Sequence, residues 1–217
     1  MAKKVYKYRG DGIVVTYDAR RCIHAEECIH GLPRVFEKDR RPWIDPSLGS
    51  ADEIATVVAR CPTGALDFER SDGGPAVAPP QKNTVTVAKD GPLYAAGDLK
   101  IATPAGAQRE TRVAFCRCGA SKNKPYCDNS HREIGFADAG DLGEGRLVPA
   151  EEGVPDPTVV FTAAPSGPLL VAGPLTVLSA DGATSSSGVK GALCRCGASD
   201  RKPFCDGTHK AIGFEAE

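Results

Sequence analysis

Residues 116–131 read CRCGASKNKPYCDNSH, and residues 194–209 read CRCGASDRKPFCDGTH. Both stretches follow the pattern C-x-C-x8-C-x3-H, with no insertion or deletion between them. Three thiols and one imidazole make a complete set of four ligands for a soft metal or an iron–sulfur cluster. The sequence therefore predicts two metal sites of one kind in this chain.

The duplication extends beyond the cysteine motif. Residues 91–99 match residues 167–175 at an offset of 76, the motifs match at an offset of 78, and Ile-Gly-Phe closes both copies at 134–136 and 212–214. We expect each copy to be a β-rich arm, a ligand loop and a short helical turn. Two copies are too few for a solenoid, so the pattern indicates a duplicated metal-binding unit.

The composition predicts a chain of small domains. The boundaries drawn from motifs and from Gly/Pro-rich stretches are 1–70 for a first domain, 71–81 for a linker, 82–136 for the first repeat, 137–157 for a second linker and 158–217 for the second repeat. Domains of this size bury little apolar surface, so bound metal would be a natural source of stability. Nine cysteines in three groups of three fit ligand sets better than disulfide pairs.

The first domain has its own order of elements. Residues 4–18 predict a β-hairpin, a short helix is expected before Phe36, and residues 41–45 predict an extended stretch. Ser50 and Glu53 form a capping-box pattern that opens a second helix. Residues 65–68 supply a last strand.

The residues after the third cysteine of each motif predict how the histidine is placed. Asp128 and Asp206 are expected to be helix N-caps, so that the histidine lies in the first helical turn on the same side as the cysteine. Asn129 stands where the second copy has Gly207. Asn tolerates a left-handed backbone better than most residues, so the same geometry is expected in both copies.

The full motif, C-x-C-x2-Ser-x3-Pro-x-Cys-Asp-(Gly/Asn)-(Thr/Ser)-His, resembles the CDGSH iron–sulfur domain of the mitoNEET family, over about 130 residues. The resemblance implies one [2Fe–2S] cluster per repeat, with two cysteines on one iron and a cysteine and a histidine on the other. The ligands it implies are Cys116, Cys118, Cys127 and His131 in the first repeat, and Cys194, Cys196, Cys205 and His209 in the second. Family members form intertwined homodimers or tandem pseudo-dimers, so the chain is expected to be a monomer with an internal pseudo-dimer or a homodimer.

An alternative for these repeats is structural zinc, because three Cys and one His suit zinc equally well. The C-x-C spacing, the Asp after the third Cys and the resemblance favour iron–sulfur. A histidine ligand should raise the reduction potential above that of an all-cysteine cluster and make potential and cluster lifetime depend on pH. The basic residues of the loops could screen cluster charge, although the simplest interpretation of each is a solvated surface side chain; these are Arg117, Lys124, Arg195 and Lys202.

The first domain offers a third site, formed by Cys22, Cys28 and Cys61, the last of which is followed by proline. Residues 4–70 resemble the divergent mono-cluster ferredoxins, except that Ala25 occupies the position of one ligand. Three thiolates suit a [3Fe–4S] cluster, whereas a [4Fe–4S] cluster would need His24, water or another group. Buried core thiols that bind nothing are the other interpretation. His30 is expected to be an ordinary surface or packing histidine.

The fold class expected is α+β: a small ferredoxin-like α/β domain followed by two β-rich CDGSH units. The expected function is one-electron transfer with an unidentified reductase and acceptor; cluster delivery to an apo-acceptor, or redox sensing, is the alternative. No nucleotide-binding or nucleophile motif is present, so we do not expect an enzyme. A net charge of −1 and the absence of a long apolar run favour a cytoplasmic protein that binds neither nucleic acid nor membrane.

Overall fold

The computed structural model describes residues 5–103, 106–150 and 157–216. The chain divides into two compact units, Met1–Ala78 (unit 1) and Pro79–Glu217 (unit 2). Among the described residues, no helix is both long enough and apolar enough to cross a membrane.

Unit 1 contains one antiparallel sheet with the strand order β1-β2-β3, and its strands are β1 (Val5–Gly10), β2 (Ile13–Asp18) and β3 (Leu66–Arg70). The predicted hairpin and last strand are confirmed, apart from residue 4, which lies outside the described residues. Gly12 turns the hairpin with a positive φ of 67°, a conformation that glycine adopts without steric cost. Ile13 and Val15 point from β2 into the core and are fully buried.

Unit 1 also contains two helices: α2 (Ala51–Val58) packs against β3 of the sheet, and α1 (Glu27–Gly31) packs against α2. The capping box is confirmed, because Ser50 accepts the N–H of Glu53 and Glu53 accepts the N–H of Ser50. One face of α2 is buried beside Phe36 and Ile44. The extended stretch expected at residues 41–45 is reduced to a single bridge between Phe36 and Ile44, next to a 3-10 turn at Pro46–Leu48.

Unit 2 is built on one six-stranded sheet to which both repeats contribute. Its strands are β4 (Thr84–Val87), β5 (Leu93–Thr103) and β6 (Gly106–Phe115) from the first repeat, and β7 (Val159–Ala163), β8 (Leu169–Leu178) and β9 (Ser185–Leu193) from the second. Each long strand, β5 or β8, pairs with the other two strands of its own repeat in antiparallel fashion.

The short strands of unit 2 link the repeats by a reciprocal exchange. Strand β4 also runs parallel to the second half of β8, and β7 runs parallel to the second half of β5. Both long strands have a register shift at the point where the partner changes, at Ala96/Leu99 and at Ala172/Leu175. One core is therefore shared by the two repeats, and Phe115 meets Phe161 across it with ring centroids 4.9 Å apart.

Each repeat ends in one helical turn, α3 (Ser130–Glu133) or α4 (Thr208–Ala211). Residues 134–150, after α3, form no helix or strand, but they pack against the second repeat: Leu147 is buried and Val148 bridges to Lys190. The regular structure of the described residues is thus mostly β-strand, with short helices. The proportion of strand is higher than the α+β prediction implied.

Candidate metal centres

Main-chain hydrogen bonds hold the two ligand loops of unit 2 in the same conformation. In the first repeat, the N–H of Cys116 donates to the carbonyl of Pro125, and the N–H of Cys127 donates to Ala114, both at 2.8 Å. In the second repeat the equivalent bonds are Cys194 to Pro203 at 2.8 Å and Cys205 to Ala192 at 2.9 Å. The first and third cysteines of each motif are therefore fixed to the end of the sheet.

The serine and aspartate that recur in both copies of the motif also hold the loop in place through hydrogen bonds. The Ser121 hydroxyl donates to the carbonyl of Tyr126 at 2.7 Å, and Ser199 donates to Phe204 at the same distance. The Asp128 carboxylate accepts the N–H of Lys122 at 2.8 Å. These bonds explain why the serine and aspartate recur in both copies at fixed spacing.

The helix caps differ by one residue from the prediction. The N-caps are Asn129 and Gly207, not Asp128 and Asp206, and the Asn129 side chain makes no capping hydrogen bond. Each aspartate instead precedes the cap and accepts the N–H of the first helical residue, at 3.1 Å for Asp128 and 2.9 Å for Asp206. The shift arises because both caps are left-handed, with φ of 72° at Asn129 and 92° at Gly207, which confirms that Asn takes the geometry of glycine here.

The four predicted ligands of the first repeat lie together, and all of them except the partly exposed Cys118 are buried. The sulfurs of Cys116 and Cys118 are 3.8 Å apart, and the Cys127 sulfur is 3.5 Å from Nδ1 of His131. Exposed fractions are 3% for Cys127 and 7% for His131. Burial raises the pKa of Cys127 to about 11 and lowers the pKa of His131, so in the free site the thiol is protonated and the imidazole neutral at pH 7.

The second repeat has the same pair of neighbouring thiols, but its histidine has a different environment. The sulfurs of Cys194 and Cys196 are 3.7 Å apart. Nδ1 of His209 lies 3.0 Å from the carbonyl oxygen of Ser166, and His209 and Cys205 are both partly exposed. The second site is therefore more open to solvent than the first, on the side of its histidine.

The two ligand loops touch each other. A Cβ placed on Gly119 would lie 2.3 Å from the carbonyl oxygen of Cys196, and one placed on Gly197 would lie 2.4 Å from that of Cys118. Both glycines have positive φ, of 82° and 83°. The close approach of the backbones brings the two sites next to each other.

The prediction that the arginines are solvated is wrong. Arg117 and Arg195 are each only 1% exposed, and each guanidinium donates to two backbone carbonyls of its own repeat. Arg117 is also paired with the carboxylate of Asp138. The sequence analysis assigned Asp138 to the linker 137–157 and did not identify it as a partner of Arg117. Ala216 occupies the equivalent position in the second repeat.

The two lysines of the loops are partly buried. Lys124 Nζ donates to the carbonyl of Ser121 at 2.6 Å, and Lys202 Nζ donates to Ser199 at 2.5 Å. Lys124 also lies 5.8 Å from the ring centroid of Phe214 in the other repeat. Both lysines therefore brace the loops through backbone contacts.

In unit 1, Cys22, Cys28 and Cys61 line one cavity of about 30 Å³ together with Ala25. Burial raises the pKa of Cys28 to about 11, and the nearby Cys61 and Cys22 thiolates add to the effect. Tyr17 and Thr63 also line this cavity, and the Thr63 hydroxyl lies 3.5 Å from the Cys61 sulfur. The fold therefore gathers the three cysteines, although Cys61 is far from the others in the sequence.

His24 occupies a different position from Ala25. It lines an adjoining cavity of about 180 Å³, which Cys22 and Cys28 also reach, and its φ of 55° is left-handed. The walls of this second cavity include Lys38 and Arg41. His30 is confirmed as a surface residue: its side chain is 77% exposed and lies 3.4 Å from Glu26.

The donor sets fit soft-metal or iron–sulfur chemistry, since they combine thiols with imidazole. In the part of the chain that the structure describes, no group of three or more Cys, His, Asp or Glu side chains is arranged to bind a single metal ion. The buried Nη1 of Arg195 has no hydrogen-bond partner among the described residues. A buried cation left in this state is costly unless an anionic group lies nearby, and a thiolate-ligated cluster is such a group.

Comparison with known proteins finds family matches in both units. Residues 8–71 match the family described as a divergent 4Fe-4S mono-cluster domain. Residues 90–132 and 166–210 each match the family described as an iron-binding zinc finger of CDGSH type. No solved structure matches the chain.

Two relatives match unit 1. Both are named uncharacterized protein YjdI, one from Escherichia coli K12 and one from Escherichia coli O157:H7. Each is 33% identical over 61 residues, which are 28% of this chain and 80% of the relative. The chain is therefore an iron–sulfur protein that belongs, through unit 1, to the divergent 4Fe-4S mono-cluster family and, through the two repeats of unit 2, to the CDGSH iron-binding family.

Proposed function

We propose that this chain is a one-electron carrier with three iron–sulfur sites, one in unit 1 and one in each repeat of unit 2. The observation that carries the proposal is the contact between the two ligand loops at Gly119 and Gly197. Electron exchange weakens steeply with distance, so backbone contact between neighbouring sites favours transfer between them. In this proposal the chain converts no substrate, and partner proteins supply the reductant and the acceptor.

The ligands proposed for unit 2 are Cys116, Cys118, Cys127 and His131, and Cys194, Cys196, Cys205 and His209. A [2Fe–2S] cluster held by such a set supplies reversible one-electron chemistry, at a higher potential than an all-cysteine cluster. The sulfur pairs of the C-x-C segments and the Cys127–His131 pair favour two ligands per iron. The reciprocal strand exchange supports an internal pseudo-dimer, in which one chain replaces the two subunits of a homodimer.

For unit 1 we propose a cluster on Cys22, Cys28 and Cys61. The exposed Ala25 in the same cavity favours a [3Fe–4S] form, with no protein ligand at the fourth corner. The family description names a 4Fe-4S cluster. That form would take its fourth ligand from solvent or from the adjoining cavity, where His24 is the candidate.

The test is the content of iron, sulfide and zinc in anaerobically purified protein, together with EPR before and after dithionite. We expect two reduced [2Fe–2S] signals, and a [3Fe–4S] signal in the oxidised protein. A 4Fe-4S cluster in unit 1 would appear as a reduced-state signal, and its change in His24→Ala would identify the fourth ligand. Zinc without sulfide would refute the proposal.

A second candidate function is cluster delivery, and the partial exposure of His209 and Cys205 favours it. A ligand pair that solvent reaches is also one that an acceptor protein reaches. Anaerobic mixing with an apo-ferredoxin separates the two functions. Transfer of cluster to the acceptor favours delivery, whereas fast reduction of the chain by a ferredoxin reductase with its iron content unchanged favours electron transfer.

A further inference from the structure

Each repeat of unit 2 buries an arginine between the first two cysteines of its motif. The Nε of Arg117 donates to the carbonyl of Gly91 at 3.0 Å, and the Nε of Arg195 donates to Gly167 at 2.9 Å. A phenylalanine ring lies against each guanidinium, at 5.1 Å for Phe136 and 5.8 Å for Phe214. Both cations are thus held in place next to the ligand loops and away from water.

The charge environment of the two arginines is different. The buried Arg117 forms an ion pair with the partly exposed Asp138, whose Oδ1 also accepts the N–H of Gly140 at 2.9 Å. Arg195 has no such carboxylate among the described residues, and its Nη1 is buried without a hydrogen-bond partner. Among the described residues, the first repeat therefore contains a neutral pair, whereas the second contains an arginine with no carboxylate partner.

The residue that makes this difference is Ala216. Its carbonyl accepts the N–H of Ser166 at 2.7 Å, just as the carbonyl of Asp138 accepts the N–H of Asp90 at 2.8 Å. Asp138 follows Phe136 by two residues and Ala216 follows Phe214 by two, so the backbones are equivalent. Only the side chain is missing in the second repeat.

An unpaired buried cation favours the more negative state of a neighbouring group, and the effect is strong where water is excluded. One electron accepted at either site adds one negative charge there. We propose that the second repeat site has the higher reduction potential of the two, because Arg195 has no carboxylate partner among the described residues, and that an electron entering unit 2 therefore resides at the second site. This inference rests on the proposed [2Fe–2S] sites and adds a direction to the transfer between them.

The partial exposure of the second site acts in the same direction, because water also stabilises added charge. A reciprocal pair of substitutions isolates the contribution of the arginine. Ala216→Asp supplies the missing carboxylate, and Ala216→Asn supplies the same bulk without charge. Asp138→Asn removes the charge in the first repeat while keeping an oxygen for the N–H of Gly140.

The experiment is a potentiometric titration of the whole holoprotein with dithionite, followed by EPR. Loss of one signal in Cys205→Ala assigns the second site. We expect the second site to be reduced first in the wild type. In Ala216→Asp, the ratio of reduced to oxidised second site at a fixed potential should fall at least tenfold, which corresponds to about 59 mV for one electron.

The controls have defined outcomes. Ala216→Asn should shift the second site by less than Ala216→Asp, and Asp138→Asn should raise the potential of the first site. Arg195 also interacts electrostatically with Cys116 of the first site, so Ala216→Asp should lower the potential of the first site as well. Coincident titration of the two sites in the wild type, or equal effects of Ala216→Asp and Ala216→Asn, would overturn the inference and leave the proposed function intact. Absence of iron and sulfide from unit 2 would overturn both.

Discussion

Replacing Gly119 with alanine should damage the contact between the two repeat sites. The added Cβ would lie 2.3 Å from the carbonyl oxygen of Cys196 and 2.8 Å from its carbonyl carbon, and neither backbone atom can move without shifting the second ligand loop. Gly119 also has a φ of 82°, which alanine adopts only with strain. The substitution therefore combines a steric clash with an unfavourable backbone conformation.

The two effects can be given magnitudes. A left-handed backbone costs a non-glycine residue about 1–2 kcal/mol. Forcing an extra carbon into a packed region typically costs about 1–3 kcal/mol. Together they predict a loss of about 2–5 kcal/mol in the free energy of unfolding of unit 2, if neither loop relaxes.

Gly135→Ala is the matched control. Gly135 has a φ of 62°, but a Cβ there would have nothing within 4 Å, so it should lose only the backbone contribution of about 1–2 kcal/mol. Anaerobic urea unfolding compares the variants; with a slope of about 2 kcal/mol per molar, Gly119→Ala should lower the midpoint by about 1–2.5 M. A midpoint equal to that of Gly135→Ala would refute the reasoning, because it would mean that the loops are not in contact.

Three further predictions concern the sites themselves. Ala25→Cys places a fourth thiol in the cavity of Cys22, Cys28 and Cys61, so it should convert the unit 1 cluster to a [4Fe–4S] form; EPR checks this, and an oxidised [3Fe–4S] signal that persists unchanged would contradict it. The pKa of Cys28 in the free site is about 11, so its thiol must lose a proton when it binds iron. Cluster reconstitution should therefore become more favourable as the pH rises from 6 to 9, and it should release protons that an indicator dye measures. Cys28→Ser should release fewer protons, and equal release from both proteins would count against the assignment. Chelator challenge should remove the second repeat cluster before the first, because His209 is partly exposed and His131 is buried; simultaneous loss of the two EPR signals would argue against this.

The repeat sites were largely predictable from local sequence. The ligands of each repeat, and the equivalent positions Asn129 and Gly207, lie in loops of sixteen residues. Hydrogen bonds within each loop set its geometry, so the local sequence is enough to predict it. The prediction was wrong about the N-cap residue, because a left-handed cap moves the helix start by one position. It was also wrong about the arginines, because nothing in the local pattern distinguishes a solvated Arg117 from one that reaches the carbonyl of Gly91.

The arrangement in unit 1 was predicted less completely. The hairpin and the capping box at Ser50 are short-range features and were found from the sequence. The roles of Tyr17 and Thr63 beside the cysteines were not, since they approach the site only when β2 and the segment after α2 come together. Sequence spacing alone also left open how Ala25 and His24 divide between the two adjoining cavities.

The sequence by itself determined which chemistry the chain carries: three sets of thiols, two of them with histidine, in a duplicated unit preceded by a separate domain. Only the tertiary structure decided how the duplicated sites relate, through the exchange of β4 and β7 and the contact of Gly119 with Cys196. It also decided that Asp138 neutralises Arg117, while Arg195 has no carboxylate partner in the part of the chain that the structure describes. The physical reason is that ligand identity is a property of single residues, whereas strand exchange, burial and charge pairing join residues far apart in the chain.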